Sequence, residues 1–336
     1  MKNYRSGIHR ETKWYVPRVR ELGLVIGLTT GVKTSGRSLA TLVLLLSCSL
    51  CAAGNGTVAL VFQSDFGQKD GAVSAMKGVA FSVEPSLPLF DLTHEIPAYN
   101  VWEASYRLYQ SSSYWPVGTV FVSVVDPGVG TKRKSVVMKT KAGYYFVTPD
   151  NGTLTLVAEQ QGIEAVREID ELVNRIPGST DSYTFHGRDV YAYTGARLAA
   201  GVISFAEVGP ALPNQIFSIE YQEASVEDGA VYGNLPVLDV QYGNVWTSIH
   251  QDFLKQAQIE LGDTVCIAIY AGDVLRLELE VPYVESFGAV AAGQPLLYVN
   301  SLLNVSLALN EDSFAQRHSI GSGALWKIQL KECPTL

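Results

Sequence analysis

Metal-ligand spacing is missing from this sequence: no HExxH occurs, and the CxxC formed by Cys48 and Cys51 has no second pair to match it. Cys48 and Cys51 fall near the N-terminus, inside a leader-like segment. Cys266 lies in the apolar run Thr264–Tyr270, where a buried and inert thiol is expected, and Cys333 stands near the C-terminus. Neither a structural metal nor a disulfide framework is expected. The GxxxxGK[ST] phosphate loop is absent too. Internal repeats and low-complexity tracts are lacking, which argues against collagen, coiled coil and disorder. Positive charge is scarce: without its first 50 residues the chain carries 17 basic and 31 acidic side chains, a net of about −14. So acidic a body repels nucleic acid and anionic lipid and tolerates a cationic ligand.

What is present is enough apolar material for a substantial core, 47% of 336 residues, and a length comfortable for two domains. The first 50 residues are basic and lead into the apolar run Leu39–Ala53, which is too short to span a bilayer comfortably and ends in small residues. Basic flank, apolar run and small-residue exit are the parts of a secretory signal, so residues 1–54 are read as a leader. Leu45-Leu46-Ser47-Cys48 also resembles a lipobox, in which Cys48 would be acylated as the new N-terminus. A short anchoring helix is the alternative. An exported protein, periplasmic or held by lipid, is expected if the leader is genuine, and a cytoplasmic one otherwise.

Beyond the leader, strands read at Val58–Phe62, Leu87–Leu92, Thr119–Val125, Ser135–Lys139 and Tyr144–Thr148. They alternate with helical patterns at Ala72–Val83, Val101–Ser111 and Leu154–Gln161. This alternation predicts an α/β domain over 55–210 with a largely parallel sheet. Three strands end in turns rich in Asp, Gly and Pro: Ser64–Gly67, Asp126–Gly130 and Pro149–Gly152. Turns after strand C-termini are where open α/β sheets bind ligands. From 211 to 336 short β-rich runs separated by Gly and Asp predict a small antiparallel barrel or sandwich.

Asp65 and Asp126 each follow a buried strand and can orient water or hydroxyls, or simply cap the next turn. Arg133 lies seven residues beyond Asp126, across Pro127-Gly-Val-Gly130, so a hairpin-like return would bring the guanidinium against the carboxylate. A structural clamp and a catalytic pair are equally compatible with that spacing. His186, in Thr184-Phe-His-Gly-Arg-Asp189, opens a helix whose dipole disfavours an imidazolium. It is a water-orienting group or a packing histidine, and Arg188 can pair locally with Asp189. Asp239, Tyr242 and Asn244 sit in one turn that suits a flat heterocycle with polar edges.

Six stretches in this order resemble the S-adenosyl-L-methionine (SAM) hydroxide adenosyltransferase family, relatives of SAM-dependent fluorinases and chlorinases. They are Ser64-Asp-Phe-Gly with Met76-Lys-Gly78, Asp91-Leu-Thr-His-Glu-Ile-Pro97, Gly118–Thr131, Phe146–Gly152, Thr184–Asp189 and Tyr242–Thr247. The resemblance implies an N-terminal α/β domain, a C-terminal antiparallel β-barrel, and a homotrimer that binds SAM between subunits. It implies hydrolysis of SAM to adenosine and L-methionine with no cofactor and no metal, Asp126, Arg133 and His186 activating water. Asp65 would hold the ribose, with Tyr99 and Phe185 beside it; Asp239 would meet the methionine ammonium, Tyr242 and Asn244 the adenine, and Ser301 the methionine carboxylate. Leu303, and the region near Asp312, depart from the family's usual glycines. A halogenase, and a non-catalytic exported nucleoside-binding lipoprotein, are the alternatives.

Overall fold

The structure is a computed structural model and describes residues 58–333. The leader, its apolar run and Cys48 lie outside the described residues. Among the described residues no helix is long and apolar enough to cross a membrane.

The first half is built on a seven-stranded sheet. In chain order its strands and helices are β1 (Leu60–Ser64), α1 (Ala72–Val83), β2 (Leu89–Thr93), α2 (Val101–Ser111), β3 (Val120–Val124), β4 (Ser135–Thr140), β5 (Tyr145–Pro149), α3 (Thr155–Gln161) and β6 (Ile163–Glu168). After them come α4 (Tyr193–Ala199) and the two-residue β7 (Ala211–Leu212), and the strand order is β2-β1-β3-β5-β4-β6-β7. Successive side chains of a strand point to opposite faces, so a strand apolar at every position must be covered on both. That is the case for β1 and β3. Leu60, Phe62 and Val122 pack with Met76 and Ala80 of α1 and Ala196 of α4. Val61 and Phe121 pack on the other side with Leu108 of α2 and Val157 of α3. Gly195 permits the close approach of α4, because a Cβ there would lie 2.4 Å from a Val122 methyl.

The sheet departs from a largely parallel one. β2, β1, β3 and β5 are parallel neighbours, but β4 runs antiparallel to β5 and β6, and β6 to β7. The short connection from β4 to β5 leaves room only for a hairpin, which reverses the chain.

The second half holds two antiparallel sheets. Their strands are β8 (Ser225–Glu227), β9 (Ala230–Asn234), β10 (Val237–Leu238), β11 (Val245–His250), β12 (Thr264–Ala271), β13 (Val274–Pro282), β14 (Pro295–Val299), β15 (Asn304–Leu309) and β16 (Trp326–Glu332). Two short helices, α5 (Gln251–Gln256) and α6 (Phe314–His318), join them. The orders are β10-β11-β15-β14 and β13-β12-β16-β9-β8. Both sheets contribute to one core, with Val245 and Leu307 from the first meeting Ile267 and Ile328 from the second.

Here the cysteine expectation is corrected. Cys266 and Cys333 form a disulfide across 67 residues. β12 and β16 pair antiparallel with Cys266 opposite Lys331, so Cys333 emerges at the end of β16 beside the β12 thiol. The one cluster of potential metal ligands among the described residues, Cys266, Glu280 and Cys333, therefore has its two sulfurs bonded to each other.

Candidate active site

The turns that follow β1 and β3 converge on the segment entering α4. Between them lies an open cavity of about 250 Å³, whose walls include Asp65, Phe66, Tyr99, Asp126, Phe185 and His186. Strand order explains the meeting: β1 and β3 are parallel neighbours, so their C-terminal turns emerge side by side at one edge of the sheet.

Asp126 leaves β3 and its carboxylate is paired with the Arg133 guanidinium, as the hairpin-like return requires. Arg133 also donates to the Lys134 carbonyl and to the Tyr191 hydroxyl, each at 3.0 Å. Tyr191 is fully buried and its hydroxyl lies 3.0 Å from Ser135 Oγ. One carboxylate oxygen is thus committed, while Asp126 Oδ1 finds no hydrogen-bond partner among the described residues. Burial pushes the Asp126 carboxyl above its ordinary range, and the adjacent Arg133 opposes that rise.

His186 is 6% exposed, and neither ring nitrogen has a partner among the described residues. Its ring meets those of Tyr183 and Tyr191 edge-on, at centroid distances of 6.2 and 6.3 Å. Desolvation lowers its pKa, so the neutral imidazole is favoured. An acceptor-capable ring and a free carboxylate oxygen at one cavity wall suit the capture of a water proton.

Tyr191 escaped the sequence reading for a geometric reason. Residues Gly187–Ala192 form a π-helical turn ahead of α4. In such a turn residues five apart align, so His186 and Tyr191 share a face that α-helical spacing would not give them. Arg188 does pair with Asp189, at 2.6 Å.

Also lining the cavity, Phe66 and Phe185 meet edge to face at 5.6 Å. Tyr99 is 74% exposed and holds a left-handed backbone with φ 68°. Such a conformation is costly for a residue with a Cβ, and the Tyr99 amide donates 2.9 Å to Asp65 Oδ2.

The residues assigned to the other end of the ligand are placed elsewhere. Asp239, Tyr242 and Asn244 share the β10–β11 turn, where Asn244 Nδ2 donates to Asp239 Oδ2 at 3.2 Å and Tyr242 is 67% exposed. Gly243 has φ 72° there, and a Cβ would strike Ser313 Oγ at 1.9 Å. Ser301 lies in the β14–β15 turn, exposed. Because Val245 pairs with Leu307 and His250 with Asn304, the two turns sit at opposite ends of β11 and β15, roughly 16 Å apart along the strand. None of these four residues lines the cavity. Leu303 adopts φ 63°, a conformation glycine takes without penalty, and Asp312 is paired with Arg317.

Family models for the SAM hydroxide adenosyltransferase N-terminal and C-terminal domains match residues 60–209 and 233–327. The chain belongs to the SAM hydroxide adenosyltransferase family. An (R)-S-adenosyl-L-methionine hydrolase of Methanocaldococcus jannaschii is 33% identical over 232 residues, 68% of this chain and 80% of that protein. A fluorinase of an Actinoplanes species is 29% identical over 294 residues, 80% and 96% of the two chains. Among solved structures, an uncharacterized conserved protein from Thermotoga maritima has a TM-score of 0.74 at 35% identity, over 81% of this chain and all of that one. Members of the family thus include proteins named for water and for fluoride chemistry.

Proposed function

We propose that the protein hydrolyses SAM to adenosine and L-methionine by attack of water at C5′. The observation that carries this reading is that Asp126 and His186 line one cavity, with Arg133 paired to Asp126 behind it and with Asp126 Oδ1 and both imidazole nitrogens unpartnered among the described residues. The water oxygen bonds to C5′ as the C5′–S bond breaks, and the sulfonium takes the bonding pair and leaves as the neutral thioether of methionine. The water proton passes to His186 or Asp126. Arg133 holds Asp126 ionised and oriented, and the cavity supplies in-line positioning. A neutral leaving group makes a Lewis acid unnecessary to this route.

Asp65 would accept the ribose hydroxyls, between Tyr99 and Phe185. Asp239, Tyr242, Asn244 and Ser301 would receive methionine and adenine from a neighbouring copy in a homotrimer, since none of them lines the cavity of its own chain. In this reading the second half closes into a β-barrel, and the boundary between the domains falls near 210. The Cys266–Cys333 disulfide suits an oxidising compartment and so supports export, with Cys48 as lipid anchor.

Chromatography of SAM incubated with wild type and with Asp126→Ala tests the reading. Adenosine and methionine from the first and neither from the second supports it. A folded wild type that releases no adenosine sinks it, and 5′-halo-5′-deoxyadenosine in the presence of chloride or fluoride redirects it to halide chemistry.

A further inference from the structure

The stretch Asp91-Leu-Thr-His-Glu-Ile-Pro97 contributes no direct group to the proposed chemistry, yet it encloses a buried polar chain. His94 is 2% exposed and Ser64 fully buried. His94 Nδ1 lies 2.7 Å from Ser64 Oγ, and its Nε2 lies 3.0 Å from Asp91 Oδ1. Asp91 Oδ2 in turn accepts from Lys77 Nζ at 2.6 Å, at the surface. Burial works against ionising Asp91, but hydrogen bonds from Lys77 and His94 outweigh it and bring its carboxyl below the ordinary range. An ionised carboxylate only accepts, so Nε2 donates to it. Nδ1 shares its hydrogen bond with the Ser64 hydroxyl, whose oxygen accepts the Phe66 amide at 3.3 Å.

Both neighbours of this contact are cavity residues. Ser64 ends β1 immediately before Asp65 and Phe66. The same segment ties the turn down twice more: the His94 carbonyl accepts from the Gly67 amide at 2.7 Å, and the Tyr99 amide donates to Asp65 at 2.9 Å. Ser64 itself has no access to the cavity, so nucleophilic chemistry of the serine-protease kind is not its role.

We infer that Asp91, His94 and Ser64 form a relay of positioning residues, which sets the Asp65 carboxylate for a vicinal diol of the ligand. The relay acts through Asp65 and rests on the ribose role proposed for that residue. Hydrogen bonds to charged or buried groups are each worth about a tenfold change in affinity when removed singly.

A double-mutant cycle tests this on the full chain, read as the adenosine dissociation constant by calorimetry and as the KM and kcat for SAM. Ser64→Ala is expected to weaken adenosine binding about tenfold and to raise KM with kcat changed less than about twofold. Once Asp65→Ala is present, adding Ser64→Ala should change binding by less than about twofold, because the relay then has nothing to position. His94→Asn, which keeps an acceptor near the Nδ1 position but loses the contact to Asp91, should fall between wild type and Ser64→Ala, whereas His94→Gln should follow Ser64→Ala. Wild-type affinity in Ser64→Ala, or a Ser64→Ala penalty that persists in full on Asp65→Ala, overturns the inference. If wild type releases no adenosine from SAM, it is the hydrolase reading that fails, and the cycle is judged on adenosine binding alone.

Discussion

Two sets of polar residues in this chain differ in how finished they are. Around Asp126 the groups converge within one chain: Arg133, Tyr191 and Ser135 fix one side of the carboxylate, and His186 stands free beside it. In the second half Asp239, Tyr242 and Asn244 share a turn in which Tyr242 is exposed and Asn244 buried, and Ser301 lies exposed in another at the far end of the same strands. Burial with pre-set partners is what catalysis by positioned charge demands, because nothing then reorganises during the reaction. Exposed aromatic and polar turns instead suit recognition completed by a second surface. In the proposed reading, water activation and the ribose contacts fall in the first half, and the methionine and adenine contacts in the second.

The contrast breaks first at Asp126. Asp126→Ala should lower kcat by roughly 10²–10⁴-fold while leaving adenosine affinity within a few-fold, since the loss falls on water activation. Loss of affinity with kcat intact would move Asp126 to the recognition set.

Mixing sharpens it next. If the two sets meet between copies, Asp126→Ala and Asn244→Ala proteins, each nearly inactive, should regain about a quarter of wild-type activity when unfolded and refolded together, as random subunit pairing gives. No recovery on mixing would place each site within one chain.

Stability separates the halves as well. Cys266→Ser opens a loop of 67 residues between β12 and the end of β16 and should cost about 2–4 kcal/mol of folding stability. Calorimetric melting should record a lower Tm, and kcat at 25 °C should be unchanged. A change in kcat would show that the second half reaches the chemistry.

The smallest effect is on pH dependence. Burial raises Asp126 from its ordinary 3.8 and lowers His186 from 6.5, so the two move toward each other. Water activation needs the carboxylate ionised and the ring neutral, and both are lost as pH falls. The acid limb of kcat/KM should therefore lie above the ordinary carboxylate value of 3.8. His186→Asn should leave only the Asp126 ionisation on that limb. A limb at or below 3.8 contradicts the desolvated carboxylate.

Much of the first half was legible because its strands are short, apolar on both faces and closed by Asp-Gly turns, as in β1 and β3. The Asp126–Arg133 pair followed from spacing across a glycine-bearing turn. β6 was not legible: Ile163–Glu168 breaks strict alternation at Ala165-Val166 and Arg167-Glu168 and follows a helix directly, and its pairing with β4 is what makes it a strand. The disulfide depends on strand pairing between residues 67 apart, which no local pattern encodes. Tyr191 was hidden by the π turn, and the separation of Ser301 from Asn244 by the register of β11 on β15. In each case the missing information was a non-local register or a departure from helical period.

Mass spectrometry of the nucleoside formed from SAM in ¹⁸O-labelled water tests the central claim most directly. Adenosine carrying a single ¹⁸O in its 5′-hydroxyl, and absent with Asp126→Ala, is the predicted result. Unlabelled adenosine, a 5′-halogenated nucleoside, or an unchanged yield from Asp126→Ala would contradict it.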